Sequence, residues 1–175
     1  MVMEKTLSGH EYIMRPTQTI QSRTDLRGVI TFANRTLSDV SGYTREELIG
    51  APHSILRHPQ MPRTAYYVMW ETIKAEKEFY GYVNNRAKNG DHYWVIAYVA
   101  PHYSPEKVLV GFSSVRRAPL RERIPEWQEV YKKLNEVEAK YPRKEQCQAG
   151  KDWLLNYLSK HTRYDDLTQY VLSGL

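Results

Sequence analysis

Apolar and polar residues alternate from Thr19 to Arg23. The polar run DLRG interrupts them, and alternation resumes with Val29, Thr31 and Ala33 set against Ile30 and Phe32. A period of two broken by a turn predicts a β-hairpin. From Asn34 the period lengthens. RTLSDVSG and TREELIG read as short helical turns ended by Gly42 and Gly50. In the second, Thr44 stands as N-cap with Glu47 three residues later, the spacing of a capping box. Pro62 falls where a first helical position is expected, so RTAYYVMWETIKAEK predicts a longer helix. Three strands come next. FYGYVNNRA and HYWVIAYVA flank KNGD, whose Asn89-Gly90 pair signals a hairpin, and VLVGFSSVRR follows PHYSPEK.

Two strands, several short helices, one longer helix and three strands predict an α+β unit. Its five-stranded antiparallel sheet carries helices on one face. After Arg117 the pattern changes. APLRERIP reads as a linker, and Trp127, Val130, Tyr131, Leu134, Val137 and Tyr141 then recur at helical spacing. KDWLLNYLSK and DDLTQYVLS predict two further short helices. The chain therefore divides into an N-terminal cap (1–18), a globular unit (19–118) and a helical C-terminal extension (119–175).

Composition narrows the function. The chain has 175 residues, a net charge of +5 and 14 tyrosines. Its basic residues are interleaved with acidic ones, as in RERIPEWQEVYKKLNEVEAKYPRKE, which reads as a solvated mixed-charge surface and not a nucleic-acid groove. Cys147 is the single cysteine, so no intrachain disulfide forms, in keeping with a reducing compartment. No apolar run approaches the ~20 residues of a membrane span, and the N-terminus lacks the apolar region of a signal peptide. A cytoplasmic location is expected. No metal-ligand cluster and no nucleophile paired with a base stand out, so catalysis is not expected.

Candidate chemistry gathers around the longer helix. Tyr66, Trp70 and Ile73 share one face, which either packs as core or walls a planar ring. On the following strand Gly81, Val83 and Asn85 point one way. Gly81 leaves space over a ring, and Asn85 offers both a donor and an acceptor, or bonds its own hairpin. Arg57 and His58 sit in a turn stiffened by Pro59 and Pro62. They either cap a helix C-terminus or hold the polar part of a ligand at low entropic cost.

SGYTREELIG, PHSILRHPQMP, NNRAKNGDHYW and GFSSVRR, in this order, resemble the PAS sensor fold over residues 19–118. More narrowly, they resemble the flavin-binding PAS domain of bacterial aerotaxis and energy-taxis receptors. The resemblance implies bound FAD, held by Asn34, Arg57, His58, Gln60, Tyr66, Trp70, Gly81 and Asn85, and the RHPQMP turn as a requirement for flavin binding. That family usually carries Asp where this chain has Gln60; the amide loses a charge and keeps hydrogen-bonding capacity. A PAS unit with a helical tail also resembles the sensor half of split energy-taxis systems, in which a separate membrane chemoreceptor supplies the output. The function implied is a redox sensor that signals to the cytoplasmic region of such a receptor. The alternatives are a haem-binding PAS, with His53 or His58 as axial ligand, and a PAS interaction module without cofactor. Blue-light adduct chemistry needs a cysteine near the helices, and Cys147 lies in the tail.

The second face of the sheet is unusual. If Val95, Ala97 and Val99 point inward, Trp94, Ile96 and Tyr98 point outward beside Tyr80 and Tyr82. An aromatic face of this kind marks an interface. It favours a homodimer or receptor contact, with cover by the chain's own tail or N-terminal segment as the alternative.

Overall fold

The computed structural model describes residues 6–164 and 166–174. Position 165 and the first five residues, parts of the predicted last helix and N-terminal cap, lie outside the described residues. The opening hairpin is β1 (Ile20–Asp25) and β2 (Ile30–Ala33). The Asp25 carboxylate accepts from the amides of Arg27 and Val29 at 2.8 and 2.9 Å, which folds the connecting turn. Two short helices follow, α1 (Arg35–Ser41) and α2 (Arg45–Leu48), and the capping box at Thr44 is formed in full. A 3-10 turn over His53–Leu56 leads to α3 (Arg63–Lys74). Then come β3 (Phe79–Arg86), β4 (His92–Tyr103) and β5 (Leu109–Arg117), and the antiparallel sheet has the order β2-β1-β5-β4-β3.

The tail forms α4 (Ile124–Glu138), α5 (Gln146–His161) and α6 (Leu167–Leu172). Helices α1 to α3 close one face of the sheet, and α4 with α6 covers the other. Trp127 stacks on Tyr82 with centroids 5.2 Å apart and planes at 15°, and Tyr131 lies parallel to Trp94. The Tyr131 hydroxyl donates to the Tyr82 carbonyl. The aromatic face that the sequence offers to a second copy or a receptor is thus covered mainly by the chain's own helices. Their apolar stripe matches it, and an intramolecular contact costs no association entropy.

Two boundaries differ from expectation. Pro62 keeps an extended ψ of 146° and is the N-cap, so the helix begins at Arg63. The tail stripe ends in a different residue: Tyr141 is exposed, and Glu138 is buried instead. Its carboxylate accepts from the amides of Arg63 and Thr64 at the start of α3, at 3.2 and 2.7 Å. Proline at the cap position offers no side-chain acceptor, so the tail supplies one. Gly150 of α5 packs against the same point; a Cβ there would lie 1.9 Å from Thr64 Oγ1. Among the described residues, no helix is long and apolar enough to cross a membrane.

Candidate ligand site

Between the inner sheet face and α3 lies a cavity of about 280 Å³. Arg57, Tyr66 and Trp70 line it from the helical side. Ser22, Asn85, Ala97, Phe112, Ser114 and Arg116 line it from the sheet. The alternation of strands places them there: Asn85 on β3, Ala97 on β4, and Phe112, Ser114 and Arg116 at every second position of β5. Trp70 meets Phe112 edge to face, with centroids 5.5 Å apart.

The RHPQMP turn is pinned to the sheet. Arg57 forms an isolated antiparallel bridge with Asn85. Its guanidinium lies 4.2 Å from the centre of the Tyr66 ring and donates to the Met61 carbonyl at 3.3 Å. Beyond Arg57 the turn faces away. His58, only 4% exposed, accepts from the Gln60 amide through Nδ1 and, with Gln60, lines a separate cavity bounded by α4.

Polar groups inside the first cavity are in excess. Arg116 is 4% exposed, and Nη2 donates to Ser22 Oγ at 3.2 Å and to His53 Nε2. Its Nη1 has no protein partner, and neither do Asn85 Nδ2, Ser114 Oγ or the Tyr66 hydroxyl. Among the described residues, no carboxylate lines the cavity. A guanidinium only donates, so His53 Nε2 accepts and the imidazole is neutral. Burial first, and then the Arg116 charge, hold His53 well below the ordinary imidazole range. Burial pushes the Tyr66 phenol up to about 12, so it stays protonated as a donor. Burial also lowers Arg116, but a guanidinium remains charged near neutral pH. Burying a charge without a counter-charge costs several kcal/mol. The chemistry demanded is therefore a planar, acceptor-rich partner that meets Arg116 and Asn85, flanked by Trp70, Tyr66 and Phe112.

Four of the eight residues expected at the site line this cavity: Arg57, Tyr66, Trp70 and Asn85. Asn34 does not. Its Oδ1 accepts from the amides of Gln21 and Leu37, and its Nδ2 donates to the Thr19 carbonyl at 2.9 Å. That side chain joins β1 to α1. Gly81 is not among the lining residues; a Cβ there would sit 2.7 Å from the Phe79 ring, so the missing side chain makes room for Phe79. His58 and Gln60 lie on the far side of the turn, so neither histidine proposed for haem is free in the first cavity: His53 is taken by Arg116. Sequence reasoning missed Arg116, Ser22, Ser114 and Phe112. The signal was an arginine at an inward position of an otherwise small and apolar strand face.

Residues 30–116 match the PAS fold family model. The aerotaxis receptor of Escherichia coli (strain K12) is 42% identical over 135 residues, which cover 74% of this chain and 26% of that receptor. The nitrogen fixation regulatory protein of Klebsiella pneumoniae is 30% identical over 96 residues, 55% of this chain and 19% of that protein. The chain thus spans about a quarter or less of the length of these relatives. The Erythrobacter litoralis EL346 blue-light activated histidine kinase has the same fold, with a TM-score of 0.55 at 15% identity over 70% of this chain and 41% of that one. The light-state structure of the Aureochrome1 LOV domain gives 0.53 at 17% identity over 61% of this chain and 84% of that one. The strand order, the cavity between sheet and α3, and these matches agree: residues 30–116 form a PAS domain, and the chain is related in sequence to the aerotaxis receptor.

Proposed function

We propose that this PAS domain binds FAD and acts as a redox sensor for taxis. The observation that carries the reading is Arg116, a buried cation whose Nη1 has no protein partner, beside the unmet Asn85 amide. The residues fit a flavin: an isoalloxazine ring is planar, carries carbonyl and ring-nitrogen acceptors along one edge, and stacks on aromatic side chains. The cavity lies just below the ~300–1,000 Å³ of common small-molecule pockets. It suits the ring system, and Arg57 and Arg27, also in its lining, are the cations that would meet the rest of the dinucleotide.

A bound flavin supplies one- and two-electron exchange. Arg116 and Asn85 are the residues that would hold the ring edge, as hydrogen-bond donors. The Arg116 charge favours negative charge on that edge, and Tyr66 and Trp70 exclude water. The chain works by binding and relaying, without a catalysed reaction of its own. A change at Asn85 reaches the 57–62 turn through the Arg57 bridge, and from there the capped start of α3 and the tail. The relationship to the aerotaxis receptor supports a cytoplasmic sensor whose output is the signalling region of a membrane chemoreceptor. Heat release and chromatography of the chromophore test the cofactor. FAD is the expected result; a haem Soret band, or a colourless chain that ignores added FAD, overturns it.

A further inference from the structure

The second cavity, about 890 Å³, lies on the other side of the RHPQMP turn, between that turn, β3–β4 and α4. Asn84 and Trp94, which line it, belong to the opposite sheet face from Asn85 and Val95, so the sheet separates it from the first site. Trp94 is 4% exposed, and its indole N–H, a donor only, has no protein acceptor. Native proteins rarely leave such a group unmet. His58 is a second buried donor. Nδ1 accepts from the Gln60 amide, so in the neutral ring the proton sits on Nε2, for which no acceptor stands among the described residues. Burial, reinforced by His92 and Arg86, pushes this imidazole down to about 4, so the neutral form prevails near pH 7. Asn84 Oδ1 is engaged with His92 Nδ1 at 3.1 Å, which leaves the Asn84 amide NH₂ to donate as well.

Part of the lining is apolar: Met61 on one side, and Tyr131 parallel to Trp94 at 10°. On the exposed rim Glu136 is paired with Lys133 at 3.2 Å, and Lys132 adds a single positive charge, which suits a monoanion better than a multiply charged anion such as phosphate.

We infer that this cavity is a second binding site, for a small organic monocarboxylate whose oxygens accept from Trp94, His58 and Asn84 and whose flat apolar body lies against Met61 and Tyr131. The site shares its turn with the first cavity, since Arg57 faces one side and His58 the other.

The chain has four tryptophans, so 5-fluorotryptophan labelling gives four ¹⁹F resonances, assigned by Trp-to-Phe variants. Sodium benzoate is the probe, with acetate, inorganic phosphate and benzyl alcohol as comparisons. Benzoate moves the Trp94 resonance saturably and leaves those of Trp70 and Trp153 in place. His58→Leu weakens the apparent affinity by roughly tenfold, the loss expected for one buried hydrogen bond to a charged group. His58→Gln, which keeps a donor, restores part of it. A Trp94 resonance unmoved by benzoate, a shift equalled by phosphate or benzyl alcohol, or unchanged affinity in His58→Leu with the other resonances in their native positions overturns the proposal.

Discussion

Glu138 and Thr64 are joined twice: the Thr64 amide and the Thr64 hydroxyl both donate to Glu138 Oε1 at 2.7 Å. The last turn of α4 thereby caps the helix that carries Tyr66 and Trp70. Asn135, one turn earlier, donates to the Gln60 carbonyl at 2.7 Å. The C-terminal extension is therefore built into the PAS domain, because it holds the start of α3 and the turn before it.

Glu138→Ala removes that cap and strands the amides of Arg63 and Thr64. The chain should lose about 1–3 kcal/mol of stability in urea unfolding. Glu138→Gln, which keeps one acceptor oxygen, should lose less. A change below about 0.5 kcal/mol for Glu138→Ala would show that the cap contributes little.

Trp127 is 1% exposed and stacked on the fully buried Tyr82. Trp127→Ala should cost about 3–5 kcal/mol, the range for deleting a buried aromatic. It should also uncover the sheet face, so that the variant self-associates in sedimentation velocity. If α4 covers that face, Tyr98→Glu leaves the sedimentation of the parent chain unchanged. A parent dimer that Tyr98→Glu dissociates would restore the homodimer as occupant of this surface.

Local rules made much of the fold legible. The hairpin, the capping box at Thr44, the Asn89-Gly90 turn and the tail stripe all rest on contacts between sequence neighbours. The site was half legible. Tyr66, Trp70 and Asn85 could be placed by period, and Arg57 by its stiff turn. Asn34 lies outside the first cavity because a side chain suited to ligand contact is equally suited to joining β1 and α1. Arg116 and Glu138 were invisible as partners because each is defined by groups far away in sequence: Ser22 and His53 for the first, Arg63 and Thr64 for the second. The turn from Arg57 to Gln60 read as one clamp, and only its pairing with β3 separates the two sides.

His53 and His58 give the chain an acid-sensitive stability. His58 is pushed down to about 4 by burial first, and His53 is held well below its ordinary value for the same reason. Unfolded, each takes up a proton as pH falls through about 6.5. Folded, His58 does so only near 4. The unfolded state binds more protons in that interval, so stability rises with pH from about 4 to 6.5 and levels off above. Urea midpoints across this range should show the rise, and His58→Gln should reduce it, leaving the part that His53 contributes. A midpoint that falls with pH there would contradict these assignments.

Arg116→Met separates a ligand-holding cation from a merely structural one. A buried charge without a counter-charge destabilises the empty chain, whereas the same charge donating to a ligand strengthens binding. In the flavin-free protein, Arg116→Met should leave stability unchanged or raise it by about 1–2 kcal/mol. Its FAD affinity, read by fluorescence titration of the same preparation, should fall by roughly 10- to 100-fold, equivalent to about 1.4–2.7 kcal/mol. Lower stability of the flavin-free variant together with unaltered FAD affinity would contradict Arg116 as the group that holds the flavin.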